Sequence, residues 1–285
     1  MVDEELLSHI FKSSAKIIDK LHGGMMNESF IVSSNNKKYV LYMPTAQANE
    51  MVDRCFEKEN IQRISSLNIT SKNIYFDENS GIKANEYIEG HSLNYVNEYN
   101  YAKIANLLHN LHDKGDKSNR YYDPFNRLEG FIKERELLIN KVDDSYQSLY
   151  EFVINNKDYL ENDKLVLSHN DFQRSNIIED NDSNYWMIDF EFMADNSEIY
   201  DIACFGNDKV SEGLSLLYAY KNNSPTNEDI KRYFLWRIFV SLQWYNVALI
   251  KHFRGEGDAH KINFYKVAEH FIDNAKEAFR LLHKI

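Results

Sequence analysis

The chain of 285 residues lacks the features that mark several common classes of protein. Its two cysteines, Cys55 and Cys204, lie far apart and outside any CxxC or Cys/His spacing. We therefore expect neither a disulfide framework nor a zinc site, and both thiols are expected to be buried. No stretch approaches the 18 or more apolar residues that a membrane helix needs. These absences predict a soluble globular protein that does not use a membrane as its partner.

Positive charge is also scarce. The chain has 33 Lys and Arg against 44 Asp and Glu, a formal net charge of −11, and its basic residues are not clustered. Nucleic-acid binding depends on clustered basic residues, so this composition argues against a nucleic-acid partner and fits a small or cationic substrate better. The first residues, "MVDEELLSHIFKSS", are acidic and amphipathic and do not resemble a secretory signal, so the cytoplasm is the expected location.

Apolar periodicity predicts a small sheet with an inserted helix in the first part of the chain. A short helix is expected over 3–13, followed by a meander of three strands, "KIIDKL", "ESFIVSS" and "KKYVLYM". The spacing becomes helical from 49 to 67, and "KNIYFDENSGIKANEYI" then predicts a hairpin that turns at "ENSG". Residues 1–90 are therefore predicted to form an α+β N-terminal lobe.

Residues 91–285 are predicted to form a larger, mainly helical lobe. Three short strands, "KLVLSH", "SNIIED" and "NYWMIDF", surround polar loops within it. Helices are predicted over 98–114, 124–141, 146–160, 199–222, 226–253 and 259–283. The predicted fold class is α+β with two lobes.

Polar residues interrupt the apolar runs in "LSHNDFQRSN" and "WMIDFEF". Asp171 and Asn176 lie in one loop and Asp189 ends the next strand, so the three side chains converge if the strands form a hairpin. Carboxylate and amide oxygens suit Mg²⁺, and phosphoryl transfer needs a metal together with a carboxylate that orients the attacking hydroxyl. The alternative is structural: Asp171 and Asn176 form turns and Asp189 caps the next element.

The order of these motifs resembles a known family. The pattern His-x-Asp-x-x-x-x-Asn followed by Ile-Asp-Phe-Glu is similar to the catalytic signature of the choline/ethanolamine kinases, which belong with the aminoglycoside phosphotransferases among protein-kinase-like folds. "GGMMNESF", "KYVLYMP", "DRCFEKEN", "GIKANEYIEG", "HNDFQRSN" and "MIDFEFMADNSEIYDIACF" resemble the LicA-type bacterial choline kinases in order and spacing over about residues 20–210. The resemblance implies a two-lobe kinase fold, with ATP and Mg²⁺ as cofactors.

Roles for the polar loop follow from the resemblance. It implies that Asp171 is the catalytic carboxylate that accepts the hydroxyl proton, and that Asn176 and Asp189 hold Mg²⁺. His169 would orient the loop. Glu191, two residues beyond Asp189, would add a further oxygen near the metal.

The resemblance also assigns residues to the nucleotide. Gly23-Gly24 on its own indicates only a tight turn, but the family has its phosphate-covering hairpin here, so backbone N–H groups are expected to reach phosphate oxygens. Asn27 and Ser29 would be further donors. The backbone from Glu86 to Ile88 is expected to hold adenine, as in the relatives.

The third strand departs from the family pattern. Relatives carry a Lys or Arg there that reaches the phosphates, whereas this chain has Tyr42, which is uncharged at pH 7. Lys38 on the same strand and Arg54 on the following helix are the candidates to replace that cation, and Glu57 would ordinarily pair with it. The alternative is that Arg54 and Glu57 form an exposed helical ion pair.

The resemblance points to choline as the acceptor. A quaternary ammonium group is held by aromatic faces and carboxylates, and Asp208 and Trp244 stand where choline kinases have such groups. Val247 replaces the second tryptophan of the family, so Tyr245 or Trp236 would complete the aromatic cage unless they belong to the core. Ethanolamine, an aminoglycoside or another small alcohol are the alternative acceptors, and a kinase-like protein that binds nucleotide without turnover is the alternative function.

Two further predictions concern residues outside the predicted substrate-binding site. Asp201 is expected to brace the catalytic loop. His109 and His112, three apart on a predicted helix, lack an evident third metal ligand and are expected to be packing histidines. The oligomeric state does not follow from the sequence.

Overall fold

A computed structural model describes residues 2–21, 26–257 and 261–285. These residues form two compact units. The first unit comprises the chain up to Asn97 together with Ser175–Met193, and the second comprises Glu98–Arg174 and the chain from Ala194 onward. The segment Ser175–Met193 thus packs with the N-terminal part of the chain. The division into functional lobes at residue 90 stays a prediction.

The first unit contains a five-stranded antiparallel sheet and a separate three-stranded sheet. The five-stranded sheet has the order β1-β2-β3-β5-β4 and the other has the order β6-β8-β9. The elements are α1 (Glu4–Phe11), β1 (Ala15–Leu21), β2 (Asn27–Ser34), β3 (Lys37–Pro44), α2 (Ala46–Met51), α3 (Arg54–Ile64), β4 (Asn73–Phe76), β5 (Lys83–Glu86), β6 (Gly90–Ser92), β8 (Ile177–Asp180) and β9 (Tyr185–Met187).

Strand alternation gives the five-stranded sheet two different faces. Leu41 on β3 and Ala84 on β5 are register partners, and both pack in one core cluster with Leu7 and Ile10 of α1. Successive strand residues point to opposite faces, so the residue after Leu41 lies on the face away from this cluster. The polar residues of the first unit that matter below lie on that second face.

The second unit is mainly helical, with one small two-stranded sheet in which β7 and β10 are antiparallel. Its elements are α4 (Tyr101–His112), α5 (Pro124–Leu138), α6 (Tyr146–Ile154), α7 (Lys157–Glu161), β7 (Leu165–Ser168), β10 (Ala194–Ser197), α8 (Glu198–Phe205), α9 (Val210–Tyr220), α10 (Asn227–Phe253) and α11 (Phe264–Leu282).

Helix α10 is the core of the second unit. A capping box at Thr226 and Asp229 fixes its first turn. From Tyr233 to Ile250 every residue is buried except Trp244 and Val247, which are partly exposed. Those two residues are three apart and therefore lie on the same side of the helix.

The α+β fold class predicted from the sequence is confirmed, and the predicted strands and the hairpin at "ENSG" are present. Three segments that were each predicted as one helix form two helices in the structure. The run 49–67 breaks where Asp53 caps α3 by accepting a hydrogen bond from the Phe56 N–H at 3.1 Å, 199–222 breaks after α8, and 146–160 breaks after α6. Two short strands, β6 and β10, were not predicted because three or four residues are too few to show a period.

The prediction for the cysteines is half right. Cys204 is buried, whereas Cys55 is exposed on α3. Cys55 follows the first residue of the amphipathic helix α3 and falls on its outward side, which its residue type alone does not indicate. Among the described residues, none of the helices is both long enough and apolar enough to cross a bilayer.

Two helical glycines provide a matched test of packing in the second unit. A Cβ built on Gly213 in α9 would meet the Tyr233 hydroxyl and, at 2.9 Å, the Ile202 carbonyl oxygen, while one built on exposed Gly130 in α5 would meet nothing within 4 Å. The Tyr233 hydroxyl donates to the Val210 carbonyl oxygen at 2.6 Å and is not free to move aside.

We expect Gly213→Ala to lower the free energy of unfolding by about 1–3 kcal/mol through overpacking. Gly130→Ala should raise it by roughly 0.5–1 kcal/mol through helix propensity. Urea unfolding followed by circular dichroism measures both, and equal effects of the two substitutions would contradict the packing described for Gly213.

Candidate active site

A tight polar loop follows β7 in the second unit. Asn170 has a φ of 65°, in the left-handed region that Asn tolerates better than most residues. Its backbone N–H donates to Asp201 Oδ1 at 2.7 Å, and the His169 N–H donates to Asp201 Oδ2 at 2.8 Å. Asp201 is fully buried on α8. One carboxylate therefore fixes two successive peptide groups immediately before Asp171, as expected for a residue that braces the loop.

The Asn170 side chain ties this loop to β10. Its Nδ2 donates to the Ser168 and Ala194 carbonyl oxygens at 3.2 and 3.1 Å, and its Oδ1 accepts from Asn196 Nδ2 at 2.8 Å. Asn170 had no role in the sequence-based interpretation. Its left-handed backbone and its side-chain hydrogen bonds mark Asn170 as a residue that shapes the loop, and only the structure shows them.

Asp171 itself is partly buried, and a series of side-chain hydrogen bonds orients it. Gln173 Nε2 donates to Asp171 Oδ2 at 3.1 Å, and Asn207 Nδ2 lies 3.5 Å from Gln173 Oε1. Arg237, buried on α10, donates to Asn207 Oδ1 at 2.8 Å. The carboxylate is thus connected through two amides to the core of the second unit.

The histidines near this loop have packing and bracing partners. The buried His169 ring packs edge-on against Phe172, with 6.1 Å between ring centroids. His112 Nε2 lies 3.0 Å from Asp201 Oδ2. His109 contacts Asp113 and the Tyr220 backbone, so the expectation that His109 and His112 are packing residues is confirmed.

The hairpin of β8 and β9 brings Asn176 and Asp189 together in the first unit. Ile177 pairs with Met187 in this hairpin, and the Ile188 N–H donates to the Asn176 carbonyl oxygen at 3.0 Å. Asp189 has a φ of 68°, so the chain turns sharply at this carboxylate. The hairpin therefore holds the Asn176 backbone against Ile188, one residue before Asp189, and Asn176 and Asp189 carry the hard oxygen donors that suit Mg²⁺.

A buried cluster of charges lies beside Asp189 in the same unit. Glu57 on α3 binds both Arg54, at 2.6 Å, and Lys83 on β5. Arg54 also lies 3.8 Å from Glu191. Arg54 and Glu57 are 6% and 1% exposed, so the interpretation as an exposed helical pair is wrong, because α3 turns this side toward the sheet.

Glu191 is the least stably charged member of this cluster. Burial raises its pKa to about 8, and the nearby Asp189 carboxylate adds to the shift. Glu191 Oε2 is buried and has no hydrogen-bond partner among the described residues. Such an orphaned carboxylate oxygen fits a site that a cation or a donor group completes on binding.

The described residues around Asn176 and Asp189 do not form a complete set of metal ligands. Among the residues that the structure describes, no three His, Cys, Asp or Glu side chains are grouped to hold a metal ion. Mg²⁺ in phosphotransferases commonly takes one or two carboxylates and completes its shell with water and substrate phosphates, which one amide and one aspartate fit.

The structure places the residues predicted to bind nucleotide in different surroundings. Gly23 and Gly24 lie outside the described residues. Asn27 is buried at the start of β2 with an Oδ1 that has no partner among the described residues, and Ser29 lies across from Tyr42 in the sheet. Glu86 and Ile88 are partly exposed at the end of β5 and just beyond it.

Lys38 stands apart from the buried charges. Its Nζ is 2.7 Å from Glu89 Oε1, and its side chain is 48% exposed. Hydrogen bonding to Glu89 raises the pKa of Lys38. Of the two candidates proposed from the sequence, only Arg54 belongs to the buried cluster, and Lys83 was not foreseen.

Asp208, the carboxylate predicted to bind the substrate alcohol, forms an ion pair with an arginine of the protein. Arg174 Nη2 lies 2.8 Å from Asp208 Oδ2, and Arg174 Nη1 lies 3.4 Å from Glu212 Oε2. The side chain of Asp208 remains 45% exposed. Lys209 Nζ lies 3.4 Å from Glu212 Oε1, so two cations balance the two carboxylates of this group.

The aromatic candidates divide by exposure. Trp244 is partly exposed and stacks on Phe271, with 6.1 Å between ring centroids. Tyr245 is buried against Tyr146 and accepts a hydrogen bond from the Asp143 N–H at 2.9 Å. Trp236 is 1% exposed. Tyr245 and Trp236 thus have the contacts of core residues, and their membership of a cage has no support in these contacts.

The model of the choline/ethanolamine kinase family matches residues 18–235, which is most of the chain and includes all of the polar loop and the hairpin. The chain belongs to the choline/ethanolamine kinase family. It is accordingly a phosphotransferase with an alcohol group as acceptor, and the family predicted from the sequence is confirmed.

Individual members of the family are distant in sequence but alike in fold. The protein LicA of Haemophilus influenzae is 22% identical over 282 residues, covering 92% of this chain and 79% of LicA. The crystal structure of choline kinase LicA from Streptococcus pneumoniae matches with a TM-score of 0.74 at 20% identity, covering 99% and 98% of the two chains. A crystal structure of LicA in complex with AMP gives 0.75 at 19% identity, covering 96% and 97%.

Bracing of the loop by Asp201 can be tested directly. Asp201→Asn keeps the shape of the side chain but replaces one acceptor oxygen by a donor, so a backbone N–H of His169 or Asn170 loses its bond. We expect a loss of about 1.5–3 kcal/mol in the free energy of unfolding. We also expect kcat to fall more than KM for the nucleotide rises, because the positioning of the loop is disturbed. The control is Asp116→Asn at an exposed position, and equal behaviour of the two variants in melting and turnover would refute the bracing role.

Proposed function

We propose that this kinase transfers the γ-phosphoryl group of ATP to the hydroxyl of a small amino alcohol, with choline as the first candidate and phosphocholine as the product. The observation that carries the proposal is the catalytic loop, in which Asp171 follows two peptide groups fixed by Asp201 in a chain that belongs to this family. Asp171 would accept the proton of the hydroxyl during direct in-line transfer.

The first unit supplies the groups for nucleotide and metal in this proposal. Asn176 and Asp189 would hold Mg²⁺, and Glu191 would support the metal or its water shell. When bound, Mg²⁺ neutralises charge on the phosphates. The segment from Glu86 to Ile88 would contact adenine, and Asn27 and Ser29 would contact the phosphates together with Gly23 and Gly24.

The second unit supplies the acceptor groups. Trp244 offers a partly exposed aromatic ring and Asp208 an exposed carboxylate, the two kinds of group that bind a quaternary ammonium. A relative of the same fold is named a choline kinase, which supports choline. Val247 beside Trp244 leaves one aromatic fewer than the family pattern, and ethanolamine, which can donate hydrogen bonds to carboxylates, is the second candidate.

The alternative functions predict different assay results. An aminoglycoside is a larger polycation, and a kinase-like protein without turnover would bind nucleotide but release no ADP. Asp171, Asn176 and Asp189 are all present, which supports turnover. The cytoplasmic location and the absence of a nucleic-acid partner stay predictions from the sequence.

The first test of the proposal is ADP release with ATP, Mg²⁺ and each of choline, ethanolamine and an aminoglycoside. Choline should give the highest kcat/KM. Asp171→Asn should reduce kcat with choline by about 10²–10⁴-fold, because the variant cannot accept the proton, while ATP affinity stays near that of the wild type. Removing Mg²⁺ with EDTA should abolish turnover. Full activity of Asp171→Asn would rule out its role as the base.

The second test concerns the acceptor. Asp208→Ala should raise KM for choline roughly tenfold, equivalent to about 1.4 kcal/mol, and leave KM for ATP nearly unchanged. The matched control is Asp273→Ala, which removes the same charge from an aspartate with a 75% exposed side chain on α11. If the two variants have the same KM for choline, Asp208 does not bind the acceptor.

A further inference from the structure

Tyr42 occupies the position on β3 where the resemblance to the family calls for a phosphate-binding cation. In the sheet, Tyr42 pairs with Ser29 of β2 on one side and with Lys83 of β5 on the other. Residues directly opposite each other on antiparallel strands point to the same face. The uncharged side chain and a lysine therefore stand side by side on the face that carries the buried charges.

The Lys83 ammonium lies close to the Tyr42 side chain. Its Nζ is 5.3 Å from the centroid of the Tyr42 ring. Burial raises the pKa of Tyr42 to about 12, so the phenol is neutral at pH 7. The positive charge absent from β3 is thus present one strand away.

Lys83 has the partners that such a cation needs. Its Nζ binds Glu57 on α3 and lies 4.0 Å from Asp189 Oδ1, while the residue is only 3% exposed. The Lys83 ammonium therefore lies between the α3 glutamate and the aspartate proposed to hold Mg²⁺.

The other two candidate cations are engaged elsewhere. Arg54 donates from Nε to Asn49 at 2.9 Å and from Nη1 to Glu57, and it faces Glu191. Lys38 is exposed and paired with Glu89. Neither lies opposite Tyr42 in the sheet, whereas Lys83 does.

We propose that Lys83 binds the nucleotide phosphates in place of the strand β3 cation, with Glu57 holding its ammonium in position. This inference rests on the proposed use of ATP and adds the residue that makes the phosphate contact. The cation has moved to the neighbouring strand, and Tyr42 fills the space on β3 that the longer cationic side chain would take.

The experiment compares Lys83→Met with Lys58→Met, which makes the same exchange at a partly exposed lysine of α3 paired with Glu78. Calorimetry measures the affinity for ATP and for adenosine, and turnover gives kcat and KM for ATP. We expect Lys83→Met to weaken ATP binding at least tenfold and to lower kcat/KM for ATP on the order of 10²-fold. Its affinity for adenosine, and both affinities of Lys58→Met, should match the wild type.

A second variant separates a phosphate contact from a structural role. Tyr42→Lys combined with Lys83→Met returns the cation to β3 and keeps one positive charge on the same face. This double variant should recover at least tenfold of the lost kcat/KM for ATP. Thermal melting identifies a variant that fails to fold. If Lys83→Met does not fold, Lys83→Gln replaces it: a tenfold loss of ATP affinity with unchanged adenosine affinity supports the inference, and unchanged ATP affinity overturns it.

Several outcomes would overturn the inference. They are ATP affinity in folded Lys83→Met equal to that of the wild type, an equal loss of ATP and adenosine affinity, or no recovery in the double variant. If the wild type binds ATP more tightly than adenosine but phosphorylates none of the acceptors, the proposed reaction fails and the binding comparison still decides the role of Lys83. If it binds ATP no more tightly than adenosine, Lys83 makes no phosphate contact and the inference fails.

Discussion

The buried carboxylate of Asp201 is the interaction on which the polar loop of the second unit depends. It accepts the backbone N–H groups of His169 and Asn170 and contacts His112, so a helix, a loop and a second helix share one charge. Charge-assisted bonds of this kind are strong when buried because no water competes for the acceptor. With Asn170 in the left-handed region, the chain has little freedom at the residue that follows, the proposed base.

The first unit uses a different device to position charge. The hairpin of β8 and β9 joins the Ile188 N–H to the Asn176 carbonyl oxygen just before Asp189, and Glu57 pairs with both Arg54 and Lys83. Burying charges is costly unless each has a partner. Glu191 has a more distant partner, since Arg54 Nη1 is 3.8 Å from its Oε2, and burial raises its pKa.

The residues predicted to bind the substrate alcohol show that the role of a side chain depends on its neighbours in the fold. Asp208 is present as expected, but Arg174 shares its charge, and Trp244 is partly exposed whereas Tyr245 and Trp236 are buried on the same helix. Successive helical residues are about 100° apart, so adjacent aromatics cannot line one surface. Sequence spacing alone could suggest Tyr245 for the cage, and only the packing of α10 assigns it to the core.

The family, the α+β class, the strands of the N-terminal sheet and the polar loop could all be predicted from the sequence, because they depend on local periodicity and on residues close together in the chain. Tertiary structure alone revealed the contacts between distant residues. Lys83 lies 41 positions from Tyr42 and becomes its neighbour only through the pairing of β3 with β5. Asp201 reaches the loop across 31 positions, and Arg174 reaches Asp208 across 34. Pairing and packing between remote segments leave no periodic pattern in the sequence, so the sequence suggests Lys38 and Arg54 as candidate cations but does not indicate Lys83.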